Sequence, residues 1–301
     1  MEDNILLHTS MPSTLTLINH RGEMINQYQP DHLLTDITSV AVVEDIIHVL
    51  DRSSMQIHLF DIHLKHIGFI EITYYAQSFM VLPGQKLSLY VGNEVSDNNG
   101  KLITYDLSVK KVIRDELKIS ENQRRYFNFL TTYHYFQSNS NLFFWESSDN
   151  NIYQIIADGN VEVTYTLDYG SKGVEAGYYD KAKYTNPYEF VSDMRSKGYH
   201  HRHFKMLAND SYLFFQFDQG DQFASAIYDF ETSRTISFND IHDDLFANSS
   251  MEEIELSFFT SFEASDTFMG FVPFEYLENK ELGNLIKDDT RNYMVMGKII
   301  F

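Results

Sequence analysis

The feature that most limits what this chain can become is a rhythm of short β-type runs. It is clearest in Ile37–Ile72, ITSVAVVEDIIHVLDRSSMQIHLFDIHLKHIGFIEI. Four runs, Ser39–Val43, Ile46–Leu50, Gln56–Asp61 and Ile67–Ile72, are separated by tight polar turns. The first two are almost continuously apolar, as strands covered on both faces are. The third alternates, with Met55, Ile57 and Leu59 on one side and Gln56, His58 and Phe60 on the other. This is one up-down, four-stranded sheet. Such a sheet is too small to hide its own faces, so copies must stack, and radial stacking of four-stranded sheets gives a β-propeller.

The turns set the register of the copies. An apolar residue followed by Asp or Asn recurs as Ile18-Asn19, Phe60-Asp61, Tyr105-Asp106, Ala157-Asp158 and Tyr228-Asp229, at intervals of 42, 45, 52 and 71 residues. A side-chain oxygen there can accept the backbone N–H groups of the following turn, which fixes a hairpin and leaves no need for a catalytic role. The intervals are blade-sized, and the last is stretched by an insertion. Second strands are countable separately at Ile5–Leu7, Ile46–Leu50, Leu87–Val91, Leu142–Trp145, Tyr212–Phe217 and Phe268–Val272, which makes six blades. First strands precede only five of them: Val40–Val43, Ser78–Leu82, Tyr133–Phe136, Phe204–Leu207 and Leu256–Phe262. The terminal run Tyr293–Ile300 is expected to fill the vacant place beside Ile5–Leu7, the rival being third strand of the last blade, after Phe268–Val272.

The reading is therefore all-β: a six-bladed β-propeller of four-stranded blades, with short helices confined to connections, in one domain over 1–301. An inserted loop and helix occupy about 168–200. Asn186-Pro187-Tyr188-Glu189 has a capping residue, Pro at the first helical position and Glu at the third, and Gly198 supplies a stop, so a helix is expected with Phe190, Val191 and Met194 facing in. Weaker helical signals lie at 240–247 and 120–125.

Taken with its turns, the repeat resembles the six-bladed β-propeller proteins abundant in Bacteroides-type bacteria, a family similar to NHL-repeat propellers. The matching residues are IIHVLDRSSMQIHLFD (Ile46–Asp61), INHRGEMINQY (Ile18–Tyr28) and KDDTRNYMVMGKIIF (Lys287–Phe301). Many members look like exported lipoproteins without a defined activity, so the resemblance implies a cell-envelope location, periplasmic or surface, and no particular chemistry. A cytoplasmic location stays open. The lipid-carrying Cys of such members is missing, as the sequence holds no Cys.

A formal charge of −20 argues against nucleic acid as a partner, because phosphates call for a basic surface. No apolar run approaches membrane-span length, and a monomer is expected. The absence of Cys excludes disulfides, thiolate metal sites and cysteine nucleophiles. Nucleophile elbows, phosphate-binding loops and zinc-protease motifs are likewise missing. No cofactor and no stoichiometric metal are expected. The acidic turns Asp97-Asn98-Asn99-Gly100, Asp149-Asn150-Asn151 and Asp218-Gln219-Gly220-Asp221 do not space their oxygens as a calcium loop does. Trp145, inside LFFW, reads as core.

The sharpest local feature is Tyr199-His200-His201-Arg202-His203, between the inserted helix and the first strand of the fifth blade. In an extended segment His201 and His203 would point the same way with Cα atoms about 7 Å apart. These five residues are the candidate ligand site, and the tyrosines of Asp168–His200 add flat faces with polar tips suited to a glycan or peptide. The expected function is binding of a glycan, peptide or protein ligand, with no catalytic residue assigned. The alternative is a propeller-type lyase or hydrolase pairing His201 or His203 with a carboxylate at the channel mouth.

Overall fold

Period-two alternation builds the strands, and Asx turns join them. In the computed structural model the residues described are 4–10, 13–19, 23–28, 33–92, 100–119, 134–174, 178, 184, 186–238, 259–264, 267–272 and 293–298. They form six antiparallel sheets, each laid down in chain order. The first holds β1 (Asn4–Ser10), β2 (Ser13–Asn19) and β3 (Met24–Tyr28). The second holds β4 (Ile37–Val43), β5 (Ile46–Asp51), β6 (Gln56–Phe60) and β7 (His66–Glu71). The third holds β8 (Ser78–Leu82), β9 (Lys86–Tyr90), β10 (Gly100–Asp106) and β11 (Lys111–Lys118). The fourth holds β12 (Tyr135–Ser138), β13 (Asn141–Trp145), β14 (Asn151–Ile155) and β15 (Val161–Thr166). The fifth holds β16 (His200–Ala208), β17 (Tyr212–Gln219), β18 (Gln222–Asp229) and β19 (Arg234–Phe238). The last holds β20 (Phe259–Ala264), β21 (Thr267–Val272) and β22 (Tyr293–Lys298).

All five Asx turns form as the residue pattern requires. Glu23 N–H donates to Asn19 Oδ1 at 3.0 Å, His63 N–H to Asp61 Oδ1 at 2.9 Å, Ser108 N–H to Asp106 Oδ1 at 2.8 Å, Asn160 N–H to Asp158 Oδ1 at 3.0 Å and Glu231 N–H to Asp229 Oδ1 at 2.8 Å. These bonds favour the ionised carboxylate. They hold Asp61, Asp106, Asp158 and Asp229 below the usual range, chiefly through the Lys65 N–H, the Ser108 hydroxyl, the Asn160 N–H and the Thr232 N–H respectively.

The chain divides into two compact units, one of Met1–Tyr135, Phe144–Leu167 and Glu175–Ser192, the other of Phe136–Phe143, Asp168–Val174 and Asp193–Phe301. Within the first, each sheet covers its face with the next. Leu15 and Leu17 of β2 pack with Ile47 and Val49 of β5 and Phe60 of β6, while Leu50 and Ile57 pack with Phe79, Leu87, Leu89 and Ile103 of the third sheet. Each fully buried Leu, Ile or Phe contributes about 1.5–3 kcal/mol. The third and fourth sheets also share a buried ion pair: Lys101 Nζ lies 3.0 and 2.8 Å from the two Glu146 oxygens, and the Tyr90 hydroxyl donates to Glu146 Oε1 at 3.1 Å. Trp145 beside it is fully buried.

The closure reading needs correction. Tyr293–Lys298 is not a strand of the sheet that holds Ile5–Leu7; β22 pairs antiparallel with β21, from Thr267↔Lys298 to Val272↔Tyr293. Loop-closure cost rises slowly but steadily with length, so the 20 residues between β21 and β22 favour pairing with the preceding strand. Only one of the three expected helices falls among the described residues, since 120–125 and 240–247 lie outside them. That helix, α1 (Pro187–Lys197), is the insertion expected within about 168–200. Asn186 Oδ1 accepts the Glu189 N–H at 3.0 Å and Asn186 Nδ2 donates to Glu189 Oε1 at 3.2 Å, so cap and third-position Glu are reciprocally bound. Phe190 and Met194 are buried, with Val191 partly so.

Candidate functional site

The site begins where α1 ends. Gly198, at φ +66°, takes the left-handed conformation, with its N–H donating to the Arg195 carbonyl and the Tyr199 N–H to the Met194 carbonyl. This is a Schellman stop, and it turns the chain out of the helix at Tyr199 and straight into β16.

β16 opens with two register shifts. His200 opposes Gln219 and His203 opposes Phe217, so His201 and Arg202 together face the single residue Asp218; a second shift follows between His203 and Lys205. A bulge re-aims side chains. In consequence His201 and His203 do not point the same way, as a regular strand would have them. His201 meets Asp218 whereas His203 meets the Tyr169 and Phe217 group, and adjacent residues of β17 face opposite sides.

On the Asp218 side, Arg202 Nε donates to Asp218 Oδ2 at 2.9 Å and the guanidinium carbon stands 4.5 Å above the Phe204 ring. His201 Nδ1 is 3.2 Å from the Tyr199 carbonyl oxygen, and its Nε2 is 3.2 Å from Asp218 Oδ2, an ion-pair distance. Burial pushes the His201 imidazole below its ordinary pKa; the Tyr199 carbonyl and Asp218 oppose this, and Arg202 and Arg195 reinforce it. The His201 and Asp218 side chains are 0% and 1% exposed, against 23% for Arg202.

On the other side, the Tyr169 hydroxyl is 2.7 Å from His203 Nε2, and the two rings stack at 5.8 Å. Tyr169 also packs on Phe217 at 4.8 Å and on His200 at 5.4 Å. A parallel bridge between Gly173 and His200 ties the Asp168–Val174 segment to β16. Tyr199, His200 and Tyr169 are half-buried and His203 is fully buried. Burial first, and Lys172 second, lower the His200 pKa. Further along β16, burial pushes the Lys205 amine down to about 8.

All five residues expected at the site have partners, Tyr199 through its N–H to the Met194 carbonyl and its own carbonyl, which His201 faces. The sequence marked Asp218 only as part of an acidic turn and not as a partner of the histidines, and Lys205 not at all; an acid ending the apolar run YLFFQFD is the signal that marks Asp218. Among the described residues no group of three or more His, Asp or Glu side chains could hold a metal ion. The Asp149 turn is occupied by the Asn151 N–H and the Tyr153 hydroxyl, and Asp218 by Arg202; Asp97–Asn99 lies outside the described residues. The arrangement offers a held aromatic surface beside cationic groups, over a buried polar base.

A family model described as 6-bladed beta-propeller matches residues 31–260. Among solved structures, a Bacteroides fragilis protein described as exported aligns over 98% of this chain and 86% of its own, at 14% identity and TM-score 0.76. A Bacteroides vulgatus member of the DUF4221 family aligns over 98% and 90%, at 8% identity and TM-score 0.54. At these identities the likeness is one of fold. Among curated protein sequences nothing matches. With blade order, turn chemistry and family model in agreement, the chain belongs to DUF5128, a family of 6-bladed β-propellers.

Proposed function

We propose that this chain is a binding protein of the cell envelope whose ligand is held by Tyr199, His200 and Arg202 at the start of β16, with Tyr169 completing the surface and the buried His201 and His203 supporting it from beneath. The observation that carries this is the split in exposure. The groups able to move protons, His201, His203 and Asp218, are 0–1% exposed and engaged with neighbours, whereas Tyr169, Tyr199, His200 and Arg202 reach solvent. A lyase or hydrolase would need its acid and base within about 3 Å of the substrate. The His201–Asp218 pair has the composition of such a site and lacks the access, so it serves to hold its exposed neighbours.

An aromatic face with a pinned hydroxyl suits the apolar side and polar edge of a sugar ring or a peptide. An envelope location is supported by the Bacteroides fragilis relative described as exported, and no helix among the described residues is long and apolar enough to cross a membrane. The test is binding to immobilised glycan and peptide collections, with Tyr169→Ala and His200→Ala beside the wild type, and fractionation of the source cells. The proposal expects retention of a ligand that both variants lose, and recovery in the envelope fraction. Retention unchanged in both variants would remove the site from this face.

A further inference from the structure

Along most of the chain acids outnumber bases, 43 Asp and Glu against 23 Lys and Arg. The stretch Asp193–Ala208 inverts this: Arg195, Lys197, Arg202 and Lys205, with His200, His201 and His203, stand against the one acid Asp193. Asp193 is taken by Lys197 at 2.6 Å, and Asp218, brought in from β17, by Arg202. Arg195 and Lys172 are exposed and have no carboxylate partner among the described residues. Lys172 is drawn to the same place, its Nζ standing 3.6 Å from where a Cβ on Gly198 would be. All of these groups belong to one compact unit.

Building on the binding reading above, we propose that the ligand is an acidic saccharide. Its carboxylate or sulfate would be held by Lys172, Arg195 and Arg202, and its ring laid against Tyr169 and His200. The cations reach the histidines between them: burial is the main cause of the lowered His200 and His201 pKa values, with Lys172 adding to it at His200 and Arg202 and Arg195 at His201, where the Tyr199 carbonyl and Asp218 oppose them. Such a field on an acidic protein concentrates and orients an anion, and the buried Asp218 fixes the guanidinium without exposing a competing carboxylate. The half-exposed rings favour a sugar over a bare anion, since they add an apolar face beside the charges.

The probe is a size-defined heparin fragment, titrated calorimetrically at low and high salt, with neutral dextran and poly-glutamate as comparators. The expected result is heparin binding that weakens with salt, falls at least about tenfold in Lys172→Gln/Arg195→Gln, and is unchanged in Arg234→Gln. Dextran and poly-glutamate should bind at least about tenfold more weakly. Absence of heparin binding, or binding indifferent to the double variant, overturns the inference. Poly-glutamate binding as tight as heparin overturns the saccharide assignment in favour of an acidic peptide. A neutral glycan held through Tyr169 and insensitive to the double variant would leave the binding function standing and this inference refuted.

Discussion

Replacing Glu146 by Gln should be among the most damaging single polar substitutions in the chain. Glu146 and Lys101 have side chains 5% and 7% exposed, and Glu146 accepts from both Lys101 Nζ and the Tyr90 hydroxyl. Taking away its charge leaves a buried ammonium without a counter-ion, a change that costs about 3–5 kcal/mol in comparable sites. A kcal/mol moves the melting temperature of a chain of this size by about 2–4 °C, so Glu146→Gln should melt roughly 6–20 °C lower. The double variant Lys101→Met/Glu146→Leu removes both charges and should recover most of the loss. Its remaining deficit is the orphaned Tyr90 hydroxyl, about 1–3 kcal/mol, which Tyr90→Phe should then relieve. Thermal unfolding of the single, double and triple variants by circular dichroism reads the whole series. A Glu146→Gln protein that melts within 2 °C of wild type, or a double variant worse than either single, would refute this account of the junction between the third and fourth sheets.

Asn186→Ala removes the α1 cap and should cost about 1 kcal/mol, seen as faster hydrogen exchange in Tyr188–Val191 with the sheets unaffected. Acid should destabilise the fold in two stages. Burial lowers His48, His58 and His201 from the ordinary 6.5, with His66 as a second cause at His58, so below that pH the unfolded chain binds protons that the folded one refuses. Stability is then full above about 6.5 and falls as the pH drops beneath it. The depressed turn carboxylates Asp61, Asp106, Asp158 and Asp229 add a second loss below about 3.9, and urea midpoints flat from pH 7 to 3 would contradict both stages. Deleting residues 293–301 strips β21 of one of its two ladder partners and should lower the melting temperature, so an unchanged melt would show that β22 contributes nothing.

Local chemistry was legible in the sequence, and partners across the fold were not. Strand positions followed from alternation, the five hairpins from an Asp or Asn whose own turn satisfies it, and α1 from Asn186, Glu189 and Gly198, all within a few residues of what they specify. The pairing of Tyr293–Lys298 depends on which of two open edges it reaches, and both have the same apolar character. The His201–Asp218 contact needs a bulge, because one extra residue reverses which face each following side chain takes, and period-two reading from His201 to His203 assumes there is none. Lys101 of the third sheet and Glu146, just past the end of β13, sit 45 residues apart, and neither is marked by its neighbours as buried.

The central claim is that this site binds through an exposed face while its proton-moving groups stay sealed beneath it. Histidine modification of the native protein by diethyl pyrocarbonate, mapped by mass spectrometry, measures that directly. His200 should react readily, and His201 and His203 should stay protected until the protein is unfolded. Modification of His201 or His203 at the rate of His200 in the folded state would contradict the claim and return the site to the acid–base chemistry of an enzyme.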